Sequence, residues 1–251
     1  MRRDQISLQL YTVREQTARD MPGTLRRVSE IGYPAVELAG FGDLSAGELA
    51  GVLDDLGLRV SGAHVSFESW QRDPEAILAD LQALNCAHAV LPSAPPERRE
   101  DEAWVATLAG DLNRWGRLCR REGVAFSYHN HDFEFAPLGE TTMWDVLVRE
   151  TDPELVGLEL DLYWIKYAGT DPETVLRDVA NRVSLLHLKD MAPDETLSDL
   201  PVGEGTLPWN ELLEAADAVG VEWYVAEQDN PRDALEDVKT SLQHLRGLAD
   251  G

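Results

Sequence analysis

The segment VSLLHLKD, at Val183–Asp190, begins as an apolar run of residues that favour β-strands and ends in charged residues. Runs of this kind recur along the chain, separated by longer stretches with the spacing of amphipathic helices. This alternation is typical of a parallel sheet covered by helices. A final helix is expected at Ala234–Leu248. The eight predicted strands are Gln5–Leu10, Ala35–Leu38, Arg59–Ala63, His88–Leu91, Ala125–His129, Leu155–Asp161, Val183–Leu188 and Glu222–Ala226.

Proline and glycine mark where the predicted helices begin and end. Three Asp-Pro-Glu triplets, which start at Asp73, Asp152 and Asp171, each supply an N-cap, a proline at the first helical position and an early acidic residue. Eight strand–helix units in 251 residues favour one closed (β/α)8 barrel of the α/β class, as a single domain over 1–251. Glycines are expected as left-handed residues after four helices, at Gly32, Gly57, Gly123 and Gly220.

Composition and charge argue against several classes of partner. The chain has 22 Lys and Arg against 46 Asp and Glu, which gives a formal net charge of −24. A field of this sign repels nucleic acid and anionic membrane surfaces. Because the sequence also lacks a long apolar run, we expect a cytoplasmic protein with no membrane or nucleic-acid partner. Cys86 and Cys119 lack the spacing of a metal site, and we expect both to be buried free thiols.

Polar residues follow four neighbouring strands at their carboxyl ends, where α/β barrels carry their working residues. One candidate from each strand supplies three carboxylates and one imidazole: Glu134, Asp161, His187 and Glu227. Burying carboxylates together gains nothing in packing, so a cation explains these four residues better than separate structural roles do. The sequence therefore predicts one divalent metal ion, of Mn, Mg, Co or Zn.

The ligand on the fifth strand is the open question, because His129, His131 and Glu134 all lie near its end. A histidine that does not bind the metal is suited to act as a base or to bind substrate hydroxyls. Lys189 shares the strand face of His187, where it would neutralise a substrate oxyanion or phosphate. Further substrate-binding candidates are Gln9, Glu37, His64 and Trp164, the last as an apolar wall for a sugar ring.

Six motifs occur in order along the second half of the chain: YHNHDFEF (128–135), ELDLYW (159–164), AGTDPE (168–173), HLKD (187–190), VGEGTLPW (202–209) and AEQD (226–229). Together they resemble the xylose-isomerase-like TIM-barrel family of sugar isomerases and epimerases, which has relatives among inosose dehydratases and enzymes that act on 3-keto-glycosides. The resemblance spans nearly the whole chain.

The resemblance implies a ligand set of Glu, Asp, His and Glu from the last four strands. Asp161, His187 and Glu227 match the last three. The fifth strand departs from the pattern, because Tyr-His-Asn-His stands where many sugar epimerases carry the ligand Glu. We predict Glu134 as this ligand, since a third carboxylate keeps the site anionic, with His131 as the alternative.

The resemblance also implies an enzyme that binds a ketose or keto-sugar and removes a proton next to a metal-chelated carbonyl. Return of the proton gives epimerisation or isomerisation, whereas loss of a β-substituent gives dehydration or glycoside cleavage. The His-Asn-His sequence favours the keto-inositol and keto-glycoside relatives. The candidate catalytic residues are Glu134, Glu227, His129, His131 and Lys189.

Two other hypotheses compete with this reading. One is a sugar-binding barrel without catalysis. The other is a metal-dependent hydrolase or lyase of nucleic acid, which the net charge of −24 disfavours. Exposed helices of such barrels often pair, so a homodimer is the expected assembly.

Overall fold

A computed structural model describes residues 1–250. Within them, eight parallel strands close into a barrel, so the predicted (β/α)8 architecture is confirmed. Neighbours in the barrel follow the order of the chain, and the last strand pairs with the first. The strands are β1 (Ile6–Gln9), β2 (Ala35–Leu38), β3 (Arg59–His64), β4 (His88–Leu91), β5 (Ala125–His129), β6 (Gly157–Asp161), β7 (Val183–Leu188) and β8 (Trp223–Ala226).

Helices follow every strand and surround the barrel. The loops after β5 and β7 each add a short antiparallel hairpin, Pro137–Leu138 with Thr141–Thr142 and Asp190–Met191 with Asp199–Leu200. In the described residues the α-helices are α1 (Arg14–Thr17), α2 (Met21–Ile31), α3 (Ala46–Leu56), α4 (Phe67–Arg72), α5 (Pro74–Ala83), α6 (Glu102–Arg121), α7 (Met143–Glu150), α8 (Leu162–Tyr167), α9 (Pro172–Asp178), α10 (Trp209–Val219) and α11 (Ala234–Ala249).

Two of the three Asp-Pro-Glu triplets begin helices, because Asp73 and Asp171 cap α5 and α9 with their side chains. The prediction of a helix start at Asp152 is wrong. Its carbonyl accepts the N–H of Val156 to close a single turn, and β6 begins directly afterwards at Gly157. The predicted bounds of all eight strands lie within two residues of the observed bounds. The four glycines predicted to follow helices all have positive φ.

Apolar side chains fill the space between barrel and helices. The long helix α6 buries Leu112 and Trp115 against the strands, and both cysteines are buried free thiols, as predicted. Close approach of α6 depends on Gly116, where a Cβ atom would lie 2.2 Å from the carbonyl oxygen of Leu155. Among residues 1–250, none of the helices combines the length and apolar character needed to cross a membrane. The homodimer and the cytoplasmic location stay predictions.

Strand register decides which polar residues meet at the mouth of the barrel. Residues opposite each other on neighbouring strands point to the same face. His129 lies opposite Glu159, and Asp161 lies opposite His187. The register shifts immediately before Glu37 and immediately before Glu159. Such an irregularity re-aims side chains, and both carboxylates are fully buried.

Candidate active site

Buried polar side chains converge at the carboxyl ends of the strands, and we call them the polar cluster. Two of its histidines, His129 and His187, lie between two sets of polar and charged residues. The inner group consists of Gln9, Glu37, His64 and Glu159. The outer group consists of Asp161, Lys189, Glu227 and Asp229. The barrel therefore carries two layers of charge at its mouth, joined by imidazole rings.

Glu159 is the centre of the inner group. It precedes Asp161 by two residues on β6, so it lies one step deeper in the barrel. Its Oε2 lies 2.7 Å from His64 Nε2, 3.1 Å from His129 Nδ1 and 3.3 Å from His187 Nε2. One carboxylate oxygen thus faces three imidazoles.

Glu37 of β2 is the second inner carboxylate. Its Oε2 accepts a hydrogen bond from Gln9 Nε2 at 2.8 Å and lies 2.7 Å from His187 Nε2. The space for this side chain comes from Gly62 on β3, where a Cβ atom would lie 2.5 Å from Glu37 Oε1. A glycine at this position therefore permits a buried carboxylate on the neighbouring strand.

Lys189 is the cation of the outer group. Its Nζ lies 2.9 Å from Asp161 Oδ2, 2.8 Å from Glu227 Oε2 and 2.7 Å from Asp229 Oδ2. The ring of Trp164 lies 5.4 Å from the same ammonium. The side chain of Lys189 is fully buried, so these carboxylates replace its hydration shell.

The two shared histidines turn their other ring nitrogens toward the outer group. His187 Nδ1 lies 2.8 Å from Glu227 Oε2. His129 Nε2 lies 3.9 Å from Asp161 Oδ2. Each ring therefore spans the cluster, with one nitrogen toward the inner carboxylates and one toward the outer carboxylates.

Neighbouring charges shift the pKa values of the cluster strongly. Burial disfavours charged imidazole and ammonium, but the carboxylates around them outweigh burial. They raise the pKa of His64 to about 10 and hold the pKa values of His187 and Lys189 well above their usual ranges. Burial likewise opposes charge on Glu159 and Glu227, yet the nearby cations hold both pKa values well below the usual range. The cluster is thus a strongly anionic site that attracts positive charge.

The donor atoms of the cluster fit a divalent metal ion. Four buried atoms lack a partner in hydrogen-bond geometry: Glu37 Oε1, His129 Nδ1, Glu159 Oε1 and Asp161 Oδ2. Two sets of ligand atoms each lie within 4.8 Å of one another. The first set is His64, His129, Glu159 and His187; the second is His129, Asp161, His187 and Glu227. Mixed imidazole and carboxylate sets suit Mn, Co or Zn, and oxygen-rich ones suit Mg.

The second set contains three of the four residues predicted as ligands, namely Asp161, His187 and Glu227. The structure does not bring Glu134 to either set. This residue lies in a 3₁₀ turn after β5, where it accepts the hydroxyl of Tyr128 on Oε1 and the N–H of His131 on Oε2, each at 2.7 Å. Burial raises the pKa of Glu134 to about 7.

The remaining predicted residues fall at different depths. Gln9 and Glu37 are fully buried in the inner group. His64 reaches the edge of the cluster and lines a cavity of about 620 Å³, together with Tyr11, Phe41 and Arg72.

At the mouth itself, His131 and Trp164 lie side by side, with 5.8 Å between ring centroids. The Nδ1 of His131 has no hydrogen-bond partner, and burial lowers its pKa well below the usual value, which keeps the ring neutral.

Two cluster residues, Glu159 and Asp229, are absent from the sequence-based predictions. A signal for both was present, because each lies two residues from a predicted ligand, Asp161 or Glu227. On β6 this spacing puts Glu159 and Asp161 on one face, whereas Asp229 lies in the loop after β8.

Comparisons with known proteins agree with the fold. The family model described as xylose isomerase-like TIM barrel matches residues 25–248. An inosose dehydratase of Geobacillus thermodenitrificans is 33% identical over 148 residues, which cover 51% of this chain and 49% of that protein. An inosose dehydratase of Geobacillus kaustophilus is 26% identical over 200 residues, which cover 68% of this chain and 62% of that protein. The chain therefore spans less than two thirds of the length of these relatives.

Solved structures show the same architecture over the whole chain. A sugar phosphate isomerase/epimerase from Parabacteroides distasonis superposes with a TM-score of 0.82 at 25% identity, covering 96% of this chain and 93% of that one. A probable 3-DHS dehydratase from Bacillus anthracis, at 14% identity and a TM-score of 0.71 over 98% of each chain, shows the fold alone. Because the family model covers most of the sequence and the described residues form a closed barrel, the chain belongs to the xylose isomerase-like TIM-barrel family.

Proposed function

We propose that this protein is a divalent-metal-dependent enzyme of the sugar isomerase and epimerase type, which removes a proton next to the carbonyl of a ketose or keto-sugar. The observation that carries this proposal is the second donor set, His129, Asp161, His187 and Glu227. These four residues come from β5 to β8, whose carboxyl ends form the face where barrels of this kind carry chemistry.

A divalent ion held by this set would supply Lewis acidity, which polarises a substrate carbonyl and acidifies the neighbouring C–H bond. The ammonium of Lys189, which lies against the same carboxylates, would stabilise negative charge on the substrate oxygen. Trp164 and His131 lie together at the mouth and would form one wall of the sugar site.

We assign the exchange of the proton to two residues, Glu227 and His131. Glu227 at β8 is held in its charged form, and His131 after β5 is held neutral. In the barrel β6 and β7 separate these two strands, so the two groups approach a bound sugar from different sides. Such an arrangement suits removal of a proton from one face and its return to another.

A second candidate is dehydration of a keto-inositol, which the inosose dehydratase relatives favour. It begins with the same proton removal and continues with loss of a β-hydroxyl group as water. The chemistry of the first step is common to both candidates, so the site residues proposed above serve either one.

The test measures metal binding first and chemistry second. Protein dialysed against Mn²⁺, Co²⁺ or Zn²⁺ should retain about one ion per chain by elemental analysis. Asp161→Asn should lose it, while Asp194→Asn, which changes an exposed carboxylate, should keep it. The absence of a stoichiometric ion in the unsubstituted protein would contradict the proposal.

Proton exchange then separates the two reactions. Loaded protein is incubated in D₂O with a panel of ketoses and with an inosose, and the α-proton signal is followed by NMR. Exchange without loss of water, or a new epimer, supports an isomerase or epimerase; a product that has lost one water supports a dehydratase. Binding of sugar with no exchange in any substrate would instead indicate a sugar-binding barrel.

A further inference from the structure

Three imidazole nitrogens lie 2.7–3.3 Å from one oxygen of Glu159. His64 Nε2 is in hydrogen-bond geometry with this oxygen, His187 Nε2 is in hydrogen-bond geometry with Glu37, and His129 Nδ1 has no partner in that geometry. A neutral imidazole has one N–H and one lone pair, on different nitrogens. When an ion takes the lone pair of one ring nitrogen, the N–H lies on the other nitrogen and requires an acceptor there. A carboxylate beside that other nitrogen supplies the acceptor.

For two of these rings the far nitrogen faces the outer group. His187 presents Nδ1 to Glu227, at 2.8 Å, and His129 presents Nε2 to Asp161, at 3.9 Å. Because these two nitrogens face Glu227 and Asp161, they are the ones that we assign to an ion held by the second donor set. Glu37 supports the same orientation of His187, because its Oε2 lies 2.7 Å from Nε2.

We infer that Glu159 is a positioning residue of the metal centre, which directs the lone pairs of His129 Nε2 and His187 Nδ1 toward an ion held by Asp161 and Glu227. This inference rests on the proposed metal-dependent function. The inference also distinguishes the two donor sets. Glu159 would be a ligand if the ion bound the first set, but it would only orient the histidine ligands if the ion bound the second set.

The position of the Lys189 ammonium favours binding of the metal ion at the outer group. Lys189 Nζ is surrounded by the outer carboxylates at 2.7–2.9 Å, so these oxygens are arranged around positive charge. The inner carboxylates are arranged around donors instead, since Glu37 pairs with Gln9 and His187 while Glu159 pairs with His64. Ring nitrogens of His129 and His187 lie 3.1 and 3.3 Å from the same oxygen of Glu159. The inner group thus has the contacts of a hydrogen-bonding support.

The experiment reads the ring nitrogens directly. Two-dimensional ¹H–¹⁵N spectra of the histidine rings are recorded without and with Zn²⁺, which is diamagnetic, and the signals are assigned with single histidine substitutions. We expect Zn²⁺ to shift His129 Nε2 and His187 Nδ1, with protons kept on His129 Nδ1 and His187 Nε2. Zn²⁺ on His64 Nε2, His129 Nδ1 and His187 Nε2 would make Glu159 a ligand and overturn the inference.

Substitution tests the same point through affinity. Glu159→Gln keeps the size of the side chain and removes its charge, so Zn²⁺ affinity should fall roughly 10- to 100-fold, with the same two nitrogens bound where binding persists. Glu222→Gln is the matched control, because Glu222 pairs with the buried His88 outside the cluster, at 3.4 Å, and its substitution should leave Zn²⁺ affinity unchanged.

Equal Zn²⁺ affinity and an unchanged proton pattern in Glu159→Gln would also overturn the inference. If this variant does not fold, the nitrogen pattern of the unsubstituted protein still decides the question. No Zn²⁺ binding by the unsubstituted protein would contradict the proposed function itself, whereas binding through the other set of nitrogens contradicts only the role of Glu159.

Discussion

Replacing Glu134 with Gln is expected to change the free energy of unfolding more favourably at pH 8 than at pH 5. The carboxyl group is fully buried, and burial raises its pKa from 4.5 to about 7. A group whose pKa is higher in the folded state contributes stability below its unfolded pKa, and that stability is lost as the pH rises through the folded pKa. The loss therefore falls between pH 4.5 and about pH 7. Gln does not titrate and removes this dependence.

The size of the effect follows from the two pKa values. Each tenfold difference in proton affinity is worth about 1.4 kcal/mol, so ionised Glu134 costs about 3 kcal/mol of unfolding free energy above pH 7 and under about 1 kcal/mol at pH 5. Gln has one acceptor oxygen for two donors, the Tyr128 hydroxyl and the His131 N–H. The unmet bond costs about 1–2 kcal/mol at either pH. The effect of the substitution on the free energy of unfolding should therefore differ by about 2–3 kcal/mol between pH 8 and pH 5, and this difference measures the cost of the buried charge.

Urea unfolding of both proteins at pH 5 and pH 8, with a chelator present, measures this difference. Glu140→Gln, an exposed carboxylate in the following loop, is the control and should show no pH-dependent effect. A change in unfolding free energy that is equal at the two pH values would refute the reasoning. Because Glu134 lies outside both donor sets, Glu134→Gln should also retain the metal affinity of the unsubstituted protein.

Three further substitutions test the cluster and the fold. Lys189→Met leaves buried carboxylates unpaired, so chelator-treated protein should lose about 3–5 kcal/mol of stability, and added Mn²⁺ should restore more stability than it gives the unsubstituted protein. An equal Mn²⁺ effect in both proteins would contradict this. Asp190→Asn weakens the acceptor of the Trp209 indole N–H and of neighbouring loop N–H groups, and should cost about 1–3 kcal/mol in urea unfolding. Gly116→Ala should cost about 1–3 kcal/mol, because its Cβ meets the Leu155 carbonyl; an unchanged unfolding midpoint would contradict the close packing of α6.

The barrel was predictable because its strands are short apolar runs bounded by helix caps and turn residues, and this pattern depends only on local chemistry. The error at Asp152 shows the limit of local signals. Its triplet has the composition of a helix start, but the next strand begins at Gly157 and leaves room for only one turn. The distance to the following element decides the structure there.

Three of the proposed ligands were predictable from their places at strand ends, since register in a parallel barrel brings such residues together. On the fifth strand the donor set contains His129 rather than Glu134, which its charge alone had indicated. The chain turns immediately after β5, and the carboxylate bonds back to Tyr128 and to the backbone of His131. That turn depends on tertiary contacts that strand periodicity does not contain.

A histidine ligand on the fifth strand gives the inner carboxylates a role, because its second ring nitrogen needs a hydrogen-bond acceptor. A carboxylate ligand carries no proton that requires an acceptor, whereas an imidazole that gives one nitrogen to an ion carries a proton on its other nitrogen, and that proton requires one. His129 lies opposite Glu159 in the register, so the acceptor stands directly beside the ring that needs it. Glu159 also adds one negative charge beneath a donor set that has an imidazole where many sugar epimerases have a carboxylate. On the proposed function, His129 and Glu159 together therefore replace one carboxylate ligand, and a variant that removes only one of the pair should bind metal more weakly than one that exchanges His129 for Glu.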